Sequence, residues 1–360
     1  MSEILKISPL DAQHRELGAR MVSFAGWDMP IMYDSIIAEH QAVRERCGIF
    51  DISHMGQLFV TGGEAEARLD GLLTNEVAAL GTGEAHYTFL LNEEGGVIDD
   101  LILYRLEENT FLLLVNASCI EKDREWLGSR LVKGVELEDD SSSWAGMAVQ
   151  GPEAPQVYTA VTEGRTLPAR NGVDEISIEG SRILVCRTGY TGEDGFELFC
   201  LSGEAPRWWK SFLEVGVKPC GLGARDSLRL EMCYPLNGQD LSPLRSPLEA
   251  GLGFFVSLDK GDFTGSDVLR DQKEGGVQER LVAIKLTERS GPPRPGYPVL
   301  SETGEALSVL TSGGVSPSLG EGIGLAYLPV DKAKIGTSVF VEMRGRRYSA
   351  KVSKKPFFKK

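Results

Sequence analysis

The sequence contains no apolar run long enough to cross a bilayer, so no helical membrane span and no membrane partner are expected. It contains no C-x-x-C pair. Its six cysteines (Cys47, Cys119, Cys186, Cys200, Cys220 and Cys233) are scattered, which reads as buried, reduced thiols. The four histidines (His14, His40, His54 and His86) show no H-E-x-x-H or other ligand spacing, so no metal is expected. A phosphate-binding G-x-x-x-x-G-K is missing, as is the G-x-S-x-G elbow of acyl-transfer enzymes. Ser53 and His54 are adjacent and point apart on a strand, so they do not make a triad. The opening "MSEILKISPLDAQHRELGAR" has neither a basic start with an apolar block nor an Arg/Ser-rich, acid-poor character. Neither a secretory signal nor a transit peptide is expected, and the location is expected to be cytoplasmic.

Positive charge is also scarce. With 38 Lys and Arg against 52 Asp and Glu, the net charge is −14, and a nucleic-acid partner is not expected. The balance reverses only at the end, where Arg344, Arg346, Arg347, Lys351, Lys354, Lys355, Lys359 and Lys360 follow without an acid. This ending reads either as a solvated terminus or as a surface for an anionic ligand or an acidic partner protein.

What is present reads as an α+β chain. At 360 residues, two or three domains are expected. "SIIAEHQAVRERCGIF" has helical spacing, with Ile36, Ile37, His40, Val43 and Arg44 near one another on the wheel and Gly48 as the stop. "GQLFVTGGEAEARLDGLL" (56–73) and "GMAVQGPEAPQVYTAV" (146–161) share one outline: Gly, short apolar strand, Gly, Glu-Ala, helix. Two copies of a β–α unit suggest two related α+β lobes. "DQKEGGVQER" (271–280) reads as a linker. The short strands after it read as a small antiparallel barrel or sandwich.

Three motifs carry candidate chemistry. "LNEEGGVIDDLILYRL" (91–106) is strand, Gly-Gly turn, strand, with Asp99 and Asp100 side by side. Neighbours on a strand face opposite ways. Asp99 shares a face with Val97, Leu101, Leu103 and Arg105, and Arg105 is a distant partner for it. Asp100 lies with Ile98, Ile102, Tyr104 and Leu106, all apolar or aromatic. A carboxylate in such company is costly unless a ligand or donor satisfies it, which makes Asp100 the better functional candidate. A strand-end carboxylate bonded to turn amides is the alternative. "HYTFLL" supplies the partner strand, with Tyr87 and Phe89 on one face.

"RTGYTGEDGFELF" (187–199) sets Gly189, Gly192 and Gly195 between two strands, reading as a tight turn that approaches a ligand closely. Glu197 stands just inside the second strand, where its carboxylate can accept two N–H bonds from a guanidine-like ring edge such as that of a pterin. Tyr190 would stack or hydrogen-bond there. A hairpin loop with solvated acids is the alternative. "GLGARDSLRLEM" (221–232) is a Gly turn feeding a helix, with Asp226 or Ser227 as possible caps. It lacks the third Gly of a dinucleotide fingerprint. Arg225 sits poorly at a helix start, which points to ion pairing or function. In "FDISHMGQ", Met55 reads as a wall of an apolar pocket.

Taken together, "MVSFAGWDMPIMY", "FDISHMGQ", "LNEEGGVIDDLI", "VNAS", "RTGYTGEDGFEL", "GLGARDSLRLE", "SPLEAGLGFFVSLDKGDFTG", "TSGGVSPSLGEGIGLAYL" and "VSKKPF" resemble the glycine cleavage T-protein family of aminomethyltransferases, collinearly over essentially the whole chain. The resemblance implies a three-domain cloverleaf around a central folate pocket. Two α+β lobes with antiparallel sheets would comprise residues 1–50 with 139–240, and 51–138 carrying Asp100. A connecting segment (241–280) and a distorted jelly-roll-like β-barrel (281–360) would follow. It implies transfer of the one-carbon unit from the aminomethyl-lipoyl arm of a lipoylated H protein to tetrahydrofolate, giving methylenetetrahydrofolate, ammonia and dihydrolipoyl H protein. Tetrahydrofolate would be the co-substrate, lipoate would arrive on the H protein, and no metal would be needed. Asp100 matches the family's essential aspartate, Glu197 its pterin-holding carboxylate and Arg225 the arginine of its Gly-Ala-Arg-Asp motif. Met55, Tyr87, Asn116 and Tyr190 match pocket-lining positions. Some members carry a tyrosine just beyond the closing Pro-Phe, and this chain has none there. Folate-dependent demethylases and iron–sulfur assembly factors share the scaffold. The latter carry a Lys-Gly-Cys-Tyr-x-Gly-Gln motif that "EMCYPLNGQD" (231–240) matches through Cys233 and Tyr234 without the Lys-Gly.

Overall fold

Ser35 shows how local sequence sets an element. Its side-chain oxygen accepts the Ala38 N–H at 3.2 Å and opens the helix Ile36–Glu45. That helix buries Glu39, His40 and Val43, while Ile37 points to solvent. Gly48 is not its stop. The helix ends at Glu45, and Gly48 begins the strand Gly48–Asp51. A Cβ on Gly48 would lie 2.5 Å from Val43 Cγ2 and 2.7 Å from Cys220 Sγ, so glycine is needed there for packing.

The computed structural model describes residues 4–359. The chain divides into two compact units. One comprises residues up to Leu72, Glu76–Thr88 and Asp100–Arg225; the other comprises Leu73–Asn75, Phe89–Asp99 and the chain from Asp226 on.

The first unit holds a six-stranded sheet in the order Val173–Ile178, Ser181–Cys186, Gly195–Leu201, Trp144–Gln150, Gly48–Asp51, Lys218–Pro219. It is antiparallel except for the last pair. Phe196, Leu198 and Cys200 join the core with Trp208, Trp209 and Phe212 of the helix Ala205–Glu214. The strand's period of two therefore turns Glu197 to the opposite face. A small sheet pairs Lys6–Ile7, Trp27–Met32 and Arg20–Phe24. A five-stranded antiparallel sheet runs in the order Ala85–Leu91, Val97–Glu107, Thr110–Val115, Gly56–Thr61, Glu136–Asp139. The Gly-Gly hairpin is where the sequence puts it: Asn92 Oδ1 accepts the Gly96 N–H at 2.7 Å, and Gly95 has φ +76°.

The two echoed segments share local geometry. Each is a strand (Gly56–Thr61; Trp144–Gln150), a glycine and a helix (Ala65–Asp70; Ala154–Val161). Gly62 has φ +126° and Gly151 φ +138°. Their carbonyls accept from buried Ala65 and Ala154 at 2.9 and 3.0 Å.

The second unit contains a closed six-stranded barrel: Glu279–Leu286, Glu321–Pro329, Ala306–Ser316, Pro298–Leu300, Ser338–Met343 and Arg346–Ser353, which pairs back to the first. Alternate residues fill it, among them Val282, Ile284, Leu286, Val339, Val341, Ala350 and Val352. The fold class is thus α+β with antiparallel sheets and a C-terminal barrel. The basic ending is largely barrel wall. Arg344 and Gly345, both at positive φ, make the hairpin turn, and Arg346–Ser353 is a strand. Arg346 and Arg347 pair with Glu288 and Glu342 at 3.7 and 3.5 Å. Phe357 and Phe358 donate their N–H groups to Glu231 O. Lys360 lies outside the described residues. The expected linker is also corrected: residues 271–275 finish the helix Ser266–Gly275, Gly276 at φ +80° ends it, and the barrel begins at Glu279.

Candidate active site

The strand Val97–Glu107 separates the two aspartates. Asp99, Leu101 and Leu103 are buried. Asp100 and Ile102, on the other face, are part-exposed. Arg105 does not serve Asp99: it pairs with Glu66 at 2.7 Å and donates to Leu80 O and Glu108 O. The neighbours of Asp100 are not only apolar. Its Oδ2 accepts the Tyr87 hydroxyl at 2.8 Å, and its Oδ1 accepts Asn116 Nδ2 at 3.1 Å. The ladder explains the second bond. Ile102 faces Leu114, so the same register places Asn116 opposite Asp100. The pattern along one strand could not show partners that come from across the sheet.

Glu197 is buried, and among the described residues its hydrogen-bond partner is Thr188, whose hydroxyl donates to Oε2 at 2.7 Å. Burial pushes the Glu197 carboxyl above its ordinary range, against the Thr188 bond and the charge of Arg225. Arg225 lies in the first turn of the helix Leu222–Glu231, with its guanidinium 4.7 Å from the centre of the Tyr190 ring. The positive charge that the helix start disfavours is thus met by a π face and a nearby carboxylate. The expected caps are corrected: Asp226 lies inside the helix and binds Arg229 at 2.7 Å. The Gly221 N–H instead donates to Glu39 Oε2 at 2.8 Å, and Glu39 Oε1 accepts the N–H groups of Tyr33 and Asp34.

The glycine-rich loop differs from the sequence reading. Gly192 takes the left-handed turn at φ +79°. Gly189 and Gly195 make room for a side chain, not a ligand: a Cβ on either would overlap buried Gln150. Gln150 Oε1 accepts the Thr191 hydroxyl at 2.9 Å and Nε2 donates to Thr188 O at 3.2 Å, fixing the loop from beneath. Its acids are paired rather than solvated, with Glu193 bound by Arg44 at 2.8 Å and Asp194 by Arg187 at 3.0 Å.

Met55 ends the turn after Gly48–Asp51, its N–H donating to Ile52 O. A buried network holds this turn. Asp51 accepts Ser53 N–H at 2.8 Å, the Ser8 hydroxyl and His14 Nε2 at 2.8 Å, while Tyr33 bonds His14 Nδ1 at 2.8 Å. Burial pushes the Asp51 carboxyl up, but its bonds to His14, Ser53 and Ser8 outweigh this and hold it below its ordinary range.

His54 is buried with its ring edge against Phe24 at 5.5 Å, and its Nδ1 has no partner among the described residues. Burial, with the charge of Arg225, pushes it down to about 4. A base with a depressed native pKa stays neutral while the unfolded chain takes a proton. Stability is therefore lost as pH falls below 6.5, and the loss is complete near pH 4. The expected loss is roughly 3 kcal/mol. Urea unfolding at pH 7 and pH 4.5 should show His54→Gln losing less stability than the parent; equal losses would refute the assignment.

The sites thus form two groups in one unit: Asp100, Tyr87 and Asn116; and Glu197, Thr188, Arg225 and Tyr190. Sequence reasoning missed Gln150, Thr188, Tyr104 and Glu39. Glu39 left a trace as an acid within the apolar stripe of a helix, and Tyr104 as a residue on the face of Asp100. Cys233 is buried, its thiol pushed up to about 12 by burial, unlike a reactive cysteine.

The chain has known relatives over its whole length. Residues 10–260 match the GCVT N-terminal domain, and residues 279–359 match the glycine cleavage T-protein C-terminal barrel domain. The chain belongs to the glycine cleavage T-protein family. Aminomethyltransferases of Geobacillus kaustophilus and Bacillus subtilis are 45% and 42% identical to it, each aligned over 99% of this chain and 100% of the relative. The crystal structure of the glycine cleavage system aminomethyltransferase T from Bartonella henselae superposes with a TM-score of 0.92 at 34% identity, covering 98% of both chains. The activity is aminomethyl transfer in the glycine cleavage system, and the family is folate-dependent. No helix among the described residues is long and apolar enough to cross a membrane.

Proposed function

We propose that this chain moves the one-carbon unit from the aminomethyl-lipoyl arm of a lipoylated H protein to tetrahydrofolate, with Asp100 at the reacting end and Glu197 at the pterin edge. The observation that carries the reading is the held carboxylate of Asp100, part-exposed and fixed on both oxygens by Tyr87 and Asn116. The residues fit a pterin. Glu197 is a buried carboxylate with capacity left to accept N–H donors, and Arg225 over Tyr190 supplies a cation and a flat ring beside it. Met55 is assigned to the wall of this site by its match to a pocket-lining position of the family. Bound tetrahydrofolate supplies the nucleophilic nitrogen.

The chain's own residues do the rest. Glu197 and Tyr190 orient the ring system, so that the reacting atoms meet in one geometry. Asp100 Oδ1 and Oδ2 accept or hold the proton of the attacking nitrogen and stabilise positive charge developing on the transferred carbon. Tyr87 and Asn116 keep that carboxylate from rotating. Lipoate arrives on the H protein and no metal takes part in the proposed step. The reading includes a cytoplasmic location and lobes at 1–50 with 139–240, 51–138 and 281–360. The separate strand sets of the two sheets and the barrel support that division.

The test is a coupled assay of the purified chain with aminomethyl-lipoylated H protein and tetrahydrofolate, following ammonia and methylenetetrahydrofolate. Release should require both partners. Folate binding without H-protein-dependent release would refute the reading and favour a demethylase-like or assembly role.

A further inference from the structure

Thr188 has no assigned role, yet it joins two residues on different sheets. Its hydroxyl donates to Glu197 Oε2 at 2.7 Å and lies 2.8 Å from the Tyr104 hydroxyl. The Thr188 hydroxyl has one proton, and it is donated to Glu197 Oε2. Thr188 Oγ1 must then accept from Tyr104. The chain runs one way, from Tyr104 through Thr188 to Glu197. Tyr104 is wholly buried and belongs to the strand Val97–Glu107, on the same face as Asp100. The two are four residues apart, roughly 13 Å along the strand. Burial, with Cys186 and Glu197 nearby, pushes the Tyr104 phenol well above its ordinary range, so it remains a donor.

We infer that Tyr104 and Thr188 form a positioning strut that ties the Glu197 carboxylate to the strand carrying Asp100, and so sets the spacing between the pterin-holding and the reacting-end carboxylates. Glu197 otherwise rests on the sheet Val173–Ile178 to Lys218–Pro219, whereas Asp100 rests on the five-stranded sheet. A shift between the two sheets would misplace one end of a ligand held at both. The strut removes that freedom with two hydrogen bonds whose direction is fixed. Neither residue touches the reacting atoms; both act through Glu197.

The inference rests on the assignment of Glu197 to the pterin edge, and the test separates the two. Tetrahydrofolate would be titrated against the full chain, and kcat and KM measured in the coupled assay, for Thr188→Val, Thr188→Ser, Tyr104→Phe, Glu197→Gln and the double variant Thr188→Val with Glu197→Gln. Thr188→Val should weaken folate binding about tenfold, the scale of one lost hydrogen bond to a charged group, and should lower kcat as well as raise KM. Thr188→Ser should restore both. In the double variant, Thr188→Val should add little to the Glu197→Gln effect, because both act on one contact. Normal folate binding by Glu197→Gln would overturn the pterin assignment itself. A Glu197→Gln defect combined with a normal Thr188→Val, or with full additivity in the double variant, would overturn the strut alone. Near-parental melting temperatures for Thr188→Ser and Tyr104→Phe keep the comparison free of misfolding.

Discussion

Asp100→Asn is expected to lower turnover by about 10²–10⁴-fold, the range for loss of a positioned acid–base group, while leaving folding intact. The two parts have separate reasons. Tyr87 O–H and Asn116 Nδ2 both donate to the aspartate, at 2.8 and 3.1 Å. An asparagine can still accept from Asn116 through its oxygen. Its own amide can donate to the Tyr87 oxygen once that hydroxyl turns. The side chain thus remains satisfied, and melting should shift little. The asparagine has neither the charge nor the proton affinity that the reaction uses. Single-turnover measurements at saturating H protein and folate check this, because they exclude product release. Turnover within threefold of the parent, in a variant that melts normally, would remove Asp100 from the chemistry.

Gly151→Ala is expected to be among the most damaging single methyl groups in the first unit, at about 3–5 kcal/mol. Gly151 sits at φ +138°, a region L-residues rarely enter, and a Cβ there would overlap Arg46 O and lie 2.9 Å from the Arg46 carbonyl carbon and the Cys47 Cα. All of these are backbone atoms and cannot swing away. Gly62, its counterpart in the other β–α segment, is blocked in the same way by Gly134 O, so Gly62→Ala should behave alike. Gly18→Ala is the control: φ is +72° but nothing lies within 4 Å, so only the backbone term of about 1 kcal/mol remains. Thermal melting should separate them, with a drop of roughly 10 °C for Gly151→Ala and a few degrees for Gly18→Ala. Equal drops would show that close backbone approach is not what requires these glycines.

Much of the molecule follows from the sequence because it depends on short-range rules. The hairpin at 91–106 needs only its alternation and its glycines. The helix at Ile36–Glu45 needs its stripe and the Ser35 cap. The barrel strands need only period two and short turns between them. Strand alternation also separates the part-exposed Asp100 from the buried Asp99, and the family resemblance came from long collinear motifs. Each of these reads neighbours within a few residues, or compares one chain with a known pattern.

What only the tertiary structure decided involves partners far apart in sequence. The donors to Asp100 come from neighbouring strands, through Tyr87 and Asn116. The helix start bearing Arg225 is held by Glu39, 182 residues away. Gly189 and Gly195 are glycines because Gln150 fills the space their side chains would take. Thr188 connects Glu197 to Tyr104, 84 residues from it. A buried polar group must find a donor or acceptor, but which one it finds is set by how the sheets pack and by the register of their strands. Local sequence thus determined the elements and which residues could carry chemistry. Packing determined what each of those residues touches, because hydrogen-bond partners are chosen by distance in space and not by distance along the chain.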